Sequence, residues 1–122
     1  MDSQDILGNM VAALKGELGQ GYSVISSFVQ NQCYLLARQA ENIATSRATG
    51  SLRNDDELFA FFLQGLRKNA EDAAKSVVML SALTIEQAWN AIAGALWGGV
   101  RSILTGAGVP AHLLPETPPL NL

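Results

Sequence analysis

The sequence predicts an all-α protein, an antiparallel bundle of three to four helices over residues 1–105 followed by an extended, proline-rich C-terminal tail over 106–122. Three observations carry that expectation. Apolar residues recur at spacings of three and four along most of the chain, which is the helical period. Patterns of capping residues mark helix starts. No stretch alternates apolar and polar residues over the length of a strand, and no segment repeats.

The first helix is expected over Ile6, Leu7, Met10, Val11, Leu14 and Leu18, with Asp2 or Ser3 as its cap. Gly16, Gly19 and Gly21 then interrupt the pattern, because glycine in a helix interior costs about 1 kcal/mol relative to alanine. A bend or loop is expected between Gly16 and Gly21. Beyond it, Ile25, Phe28, Val29, Leu36, Ala40 and Ile43 fall on one face, and Gln30, Asn31, Arg38, Glu41 and Asn42 fall largely on another. This predicts an amphipathic helix from about Ser23 to about Ala48, closed by Gly50 and with Arg47 complementing the dipole in its last turn.

Asn54, Asp55, Asp56 and Glu57 announce the third helix, giving a cap residue, a partner three positions on, and negative charge at the positive end of the dipole. Its buried stripe is expected at Leu58, Phe62, Leu66, Ala70, Ala73, Val77 and Leu80, widened by Phe59, Phe61 and Leu63. A run that wide cannot all face one helical neighbour. The fourth helix has Thr84 as cap, Gln87 as box partner, and Leu83 placed to staple onto Ala88. No Gly or Pro separates it from the third, so the competing reading is one rod from Asp55 to Leu104, roughly 75 Å long. The quality of the cap favours a break near Thr84.

Within the last helix Trp89, Ile92, Leu96, Val100, Ile103 and Leu104 make a bulky face, and Ala91, Gly94, Ala95, Gly98 and Gly99 a small-residue face. Gly106, Gly108 and Pro110 end it. Pro115, Pro118 and Pro119 then stiffen a tail that also carries Leu113, Leu114, Leu120 and Leu122.

Composition bounds function. A chain of 122 residues is one domain, long enough to bury roughly two-thirds of its unfolded surface without staples. A formal charge of −3 argues against nucleic acid, which requires a basic stripe. One cysteine makes no internal disulfide and one histidine makes no histidine-rich metal site. No Lys or Arg precedes Lys15, so the positive region of a signal peptide is missing, and a cytoplasmic location or one within an assembled particle is expected.

Chemistry finds little foothold. None of Glu41, Glu57, Glu71 and Glu86 has a histidine three residues on, as a di-metal bundle requires, and His112 lies in the tail. Cys33 has no base beside it in sequence and reads as a small buried hydrophobe. The glycines at 16, 19 and 21 follow no strand and precede no Lys-Ser or Lys-Thr, so they are not a phosphate loop. No catalytic residue, cofactor or metal is expected.

Charge scarcity is the more informative feature. Only 16% of residues are charged, against about 25% in an ordinary domain, and between Ser76 and Pro115 only Glu86 and Arg101 are. That is too few to solvate the outer faces of two helices, which implies that some surface is covered. The expected function is a non-catalytic structural subunit that self-associates or docks into a larger assembly. Trp89, Gly94, Leu96, Trp97 and Gly98 are the expected helix contacts, and Leu113, Leu114 and Leu120 are expected to dock in a neighbour's groove. In composition the chain resembles small Ala-rich accessory subunits of virus or phage particles. Two other readings compete. One is a membrane-active protein inserting residues 87–104. The other is an enzyme or metal carrier whose site, drawn from Cys33, Glu41, Glu71, Asp72 and His112, is completed at a subunit boundary.

Overall fold

A computed structural model describes residues 1–120; the last two residues of the tail, Asn121 and Leu122, lie outside the described residues. The described residues form four helices, α1 (Ser3–Leu18), α2 (Tyr22–Thr49), α3 (Asp56–Leu80) and α4 (Ile85–Gly106), with short 3-10 turns at Gly19–Gly21 and Ala111–Leu113. No strand occurs among the described residues. The joint at Thr84 is a true break. Thr84 caps Gln87 and Gln87 returns the bond to the Thr84 backbone, a complete capping box, while Leu83 and Ala88 are both buried. The continuous rod does not form.

Successive helices run antiparallel. The Ser3 amide meets Glu41 near the far end of α2, Gln39 of α2 meets Asn69 of α3, and Gly99 of α4 stands against Ile6 of α1. α1 packs on α2 and α4, α3 likewise packs on α2 and α4, and α2 also touches α4 across the bundle. The four helices are thus a bundle flattened along the α2–α4 diagonal. Fully buried Ala37, Ala40, Ala44, Ala88 and Ala93 have the small side chains that such an approach requires.

α4 touches all three other helices, which changes the meaning of the charge scarcity. Trp89, Ile92, Leu96, Trp97, Val100 and Leu104 are buried inside the chain itself. The apolar character of residues 85–106 is therefore met largely by the protein's own helices.

Three local expectations are corrected. Gly16 stays helical and α1 continues to Leu18, because the part-buried Leu18 still packs on the core; the turn is confined to Gly19–Gly21, with Gly19 at φ +58°. Asp55, not Asn54, caps α3, accepting from the Leu58 amide without a reciprocal box. The expected stripe of α3 holds at Leu66, Ala70, Ala73 and Val77, with Phe59 and Ala74 also buried, and fails at its ends, where Leu58, Phe61, Phe62 and Leu80 are exposed. One residue along a helix is a rotation of about 100°, so the row beginning at Phe59 and the row beginning at Leu58 cannot both face inward. With only α2 and α4 as substantial neighbours, α3 buries one narrow row.

The α2–α3 connection is held by one side chain. Arg47 donates to the Leu52 carbonyl at 2.9 Å and to the Asp56 carboxylate at 2.6 Å, and its guanidinium lies 4.6 Å from the centre of the Phe59 ring. Leu52 is buried beneath it.

Candidate functional site

Two surfaces stand out, one left open by the bundle and one closed by the tail. The open one lies between α2 and the first half of α3. A cleft of about 500 Å³ is lined by Leu35, Arg38, Ile43, Leu52 and Phe62 among others. Its rim is apolar: Leu35 is 62% exposed, Phe62 42% and the adjoining Phe61 65%. The two phenylalanine rings meet edge to face at 5.8 Å, so they form a preassembled aromatic corner. Its polar lining, Arg38, Gln39, Asn42, Ser46 and Ser51, contains no carboxylate and one cation. Burying an exposed phenylalanine is favourable by about 1.5–3 kcal/mol, and contiguous apolar surface of this kind marks contact sites.

The closed surface is the groove between α3 and α4, over which the tail folds back. Arg101 donates to the Pro115 carbonyl at 3.1 Å and to the Thr117 hydroxyl at 3.0 Å. The Trp89 indole N–H donates to the Pro118 carbonyl at 3.2 Å, and Arg67 of α3 donates to the Pro119 carbonyl at 2.8 Å. The tail thus runs antiparallel to α4, and Leu114 and Leu120 pack against the core. Arg101, one of only two charged residues in an otherwise uncharged stretch, serves as an anchor for backbone carbonyls.

The residues expected to make contacts divide accordingly. Trp89, Leu96 and Trp97 are buried within the chain, the two indole rings 6.3 Å apart, and are thereby withdrawn from any outer face of α4. Gly94 is exposed and Gly98 half-exposed; they border a shallow, uncharged groove shared with Asn9 and Ala13 of α1. Gly99 instead admits the Ile6 side chain. Leu113 is 51% exposed, while Leu114 and Leu120 lie on their own chain.

The possible chemical residues stay apart. Glu41 accepts from the Ser3 amide at 2.6 Å, closing the start of α1. Glu71 pairs with Arg67 at 3.8 Å one turn away, and Asp72 and His112 are exposed. Cys33 is buried, and burial pushes its thiol up to about 12 from an ordinary 9.0, the opposite of what a nucleophile needs. Among the described residues no group of three His, Cys, Asp or Glu side chains could hold a metal ion. Nor is any helix among them long and apolar enough to cross a membrane; in residues 87–104 the polar Asn90 and charged Arg101 interrupt the apolar run.

Sequence reasoning missed Leu35 and the two arginines. The available signals were the excess width of the Phe59–Leu63 run and the isolation of Arg101. No protein-family model matches the chain, and neither does any curated protein or any solved structure.

Proposed function

We propose that the chain is a non-catalytic assembly subunit that associates, with copies of itself or within a larger protein assembly, through the apolar surface between α2 and α3. The observation that carries this reading is the aromatic corner of Phe61 and Phe62 beside the exposed Leu35, set over a cleft floored by Ile43 and Leu52. A chain that buries Phe59, two positions before Phe61, while leaving two phenylalanines in water, has apolar surface beyond what its own core uses. Tyr34 and Leu58, each more than a third exposed, add to the apolar character of these helices.

The test is the native mass of the purified chain by light scattering behind a sizing column, without detergent, compared with Phe61→Asp and Phe62→Asp. Both positions are exposed, so these charges leave the core intact. A discrete oligomer that becomes a monomer in either variant supports the reading. A native chain that is monomeric at all concentrations, or an oligomer indifferent to both changes, removes self-association through this surface.

A further inference from the structure

The tail is held in a manner that does not depend on its belonging to the same chain. A polyproline II segment turns once in three residues, so the carbonyls of Pro115 and Pro118 point to one side. Arg101 and Trp89 of α4 take those two, and Arg67 of α3 takes the next one round, at Pro119. Leu114 enters the seat at φ −78° and ψ 138°, within the polyproline range. Trp97, Leu63 and Ala60 wall a cavity of about 230 Å³ against which Pro115 and Pro118 lie. Indole and guanidinium donors set over an aromatic wall are the chemistry that reads proline-rich backbone.

We propose that the α3–α4 groove is a seat for extended proline-rich segments of Pro-x-x-Pro-Pro spacing, and that the tail of a second copy takes it in exchange for the chain's own. A second copy is the occupant the observations favour, because residues 115–119 are a segment whose fit to the groove is already displayed. The link permits the exchange. α4 ends at Gly106, Gly108 lies at φ +88°, and the residues between Thr105 and Leu113 are exposed except for a half-buried Val109, so few tertiary contacts oppose reorientation of the tail. The inference rests on the self-association reading and adds a second, reciprocal contact to it.

Two complementary variants test it. Pro118→Gly with Pro119→Gly leaves a good groove and a poor tail; Arg67→Gln with Arg101→Gln leaves a good tail and a poor groove. Pro119 is exposed and Arg67, Arg101 and Pro118 are half-buried, and unchanged far-UV helicity checks the fold. Both tryptophans of the chain lie in this groove, so intrinsic emission reports its occupancy. The tail variant should emit at longer wavelength than the parent. Mixing the two variants should reverse that shift and yield a one-to-one complex by light scattering. A labelled peptide of residues 110–122 should bind the tail variant at least about tenfold more tightly than the parent, where the tethered tail competes; saturable binding to the parent is the second readout.

Emission unchanged in the tail variant overturns the proposal, as does a mixture that remains two species with summed spectra, or equal binding of a peptide with its prolines replaced by glycine. If the native chain is monomeric yet the variants complement one another, self-association through α2–α3 and the exchange in the native chain both fall, and only the groove's capacity for a proline-rich segment stands. If Phe61→Asp dissolves an oligomer and the variants do not complement, the reverse holds.

Discussion

Replacing Gly99 and Gly94 by alanine should move stability in opposite directions, although both lie in the middle of α4. A Cβ at Gly99 would stand 2.5 Å from Cγ1 and 2.7 Å from Cδ1 of Ile6. Ile6 is fully buried and stiff about χ1 because it is β-branched, so it has little room to yield. Overpacking of this sort costs about 1–3 kcal/mol, offset by the roughly 1 kcal/mol that alanine gains over glycine in a helix interior. The net for Gly99→Ala is a loss of about 1 kcal/mol. At Gly94 nothing lies within 4 Å of the added carbon, so only the helical gain of about 1 kcal/mol remains. The difference of about 2 kcal/mol corresponds to roughly 8 °C in Tm for a chain of this size. Thermal and urea unfolding followed by far-UV circular dichroism would measure it. Ile6→Ala in the Gly99→Ala background should cost less than it does alone, by about 1–3 kcal/mol of relieved overlap. Gly99→Ala as stable as Gly94→Ala, with no coupling to Ile6, would refute the close approach of α1 to α4.

Three further outcomes are expected. The Cys33 thiol is held protonated when folded, since its pKa is raised to about 12 from 9.0; its contribution is therefore full below about pH 9 and lost as pH rises towards 12, a slope that Cys33→Ala should abolish. Urea unfolding at stepped pH measures this, and native thiol labelling at pH 8 should proceed only through opening. Glu41→Gln should weaken the bond to the Ser3 amide and the favourable charge at the start of α1, lowering stability by about 0.5–1 kcal/mol, with amide exchange accelerating first in α1. Thr84→Ala removes the cap of α4 and should cost about 1 kcal/mol in urea unfolding, with native mass unchanged.

The helices were legible because their signals are local. Ile6, Met10 and Leu14, then Ile25, Val29, Leu36, Ala40 and Ile43, lie inward as their spacing implies, and the box at Thr84 and Gln87 forms as written. The phase of α3 was legible from Leu66 to Val77 but not in its first turns. The rows beginning at Leu58 and at Phe59 are both apolar, and only the directions from which α2 and α4 arrive decide between them. For the same reason charge scarcity could not reveal its own cause: an apolar helix at the centre of a bundle and one at an outer interface have the same composition. Leu35 and Phe62 meet across 27 positions of chain, and Arg67 meets Pro119 across 52, distances over which periodicity carries no information.

The approach of Ile6 to Gly99 joins the first helix to the last. A ribosome delivers the chain in order, at roughly 5–20 residues per second, so Ile6, Met10 and Leu14 emerge on the order of 5–20 s before the surface that covers them. Until then α1 can pair only with α2, and α2 only with α1 and α3, and the faces they will offer to α4 remain wet. The bundle cannot close piecemeal from its N-terminus. Its completion waits for α4, and during that interval a nascent chain is most exposed to chance encounters with its neighbours.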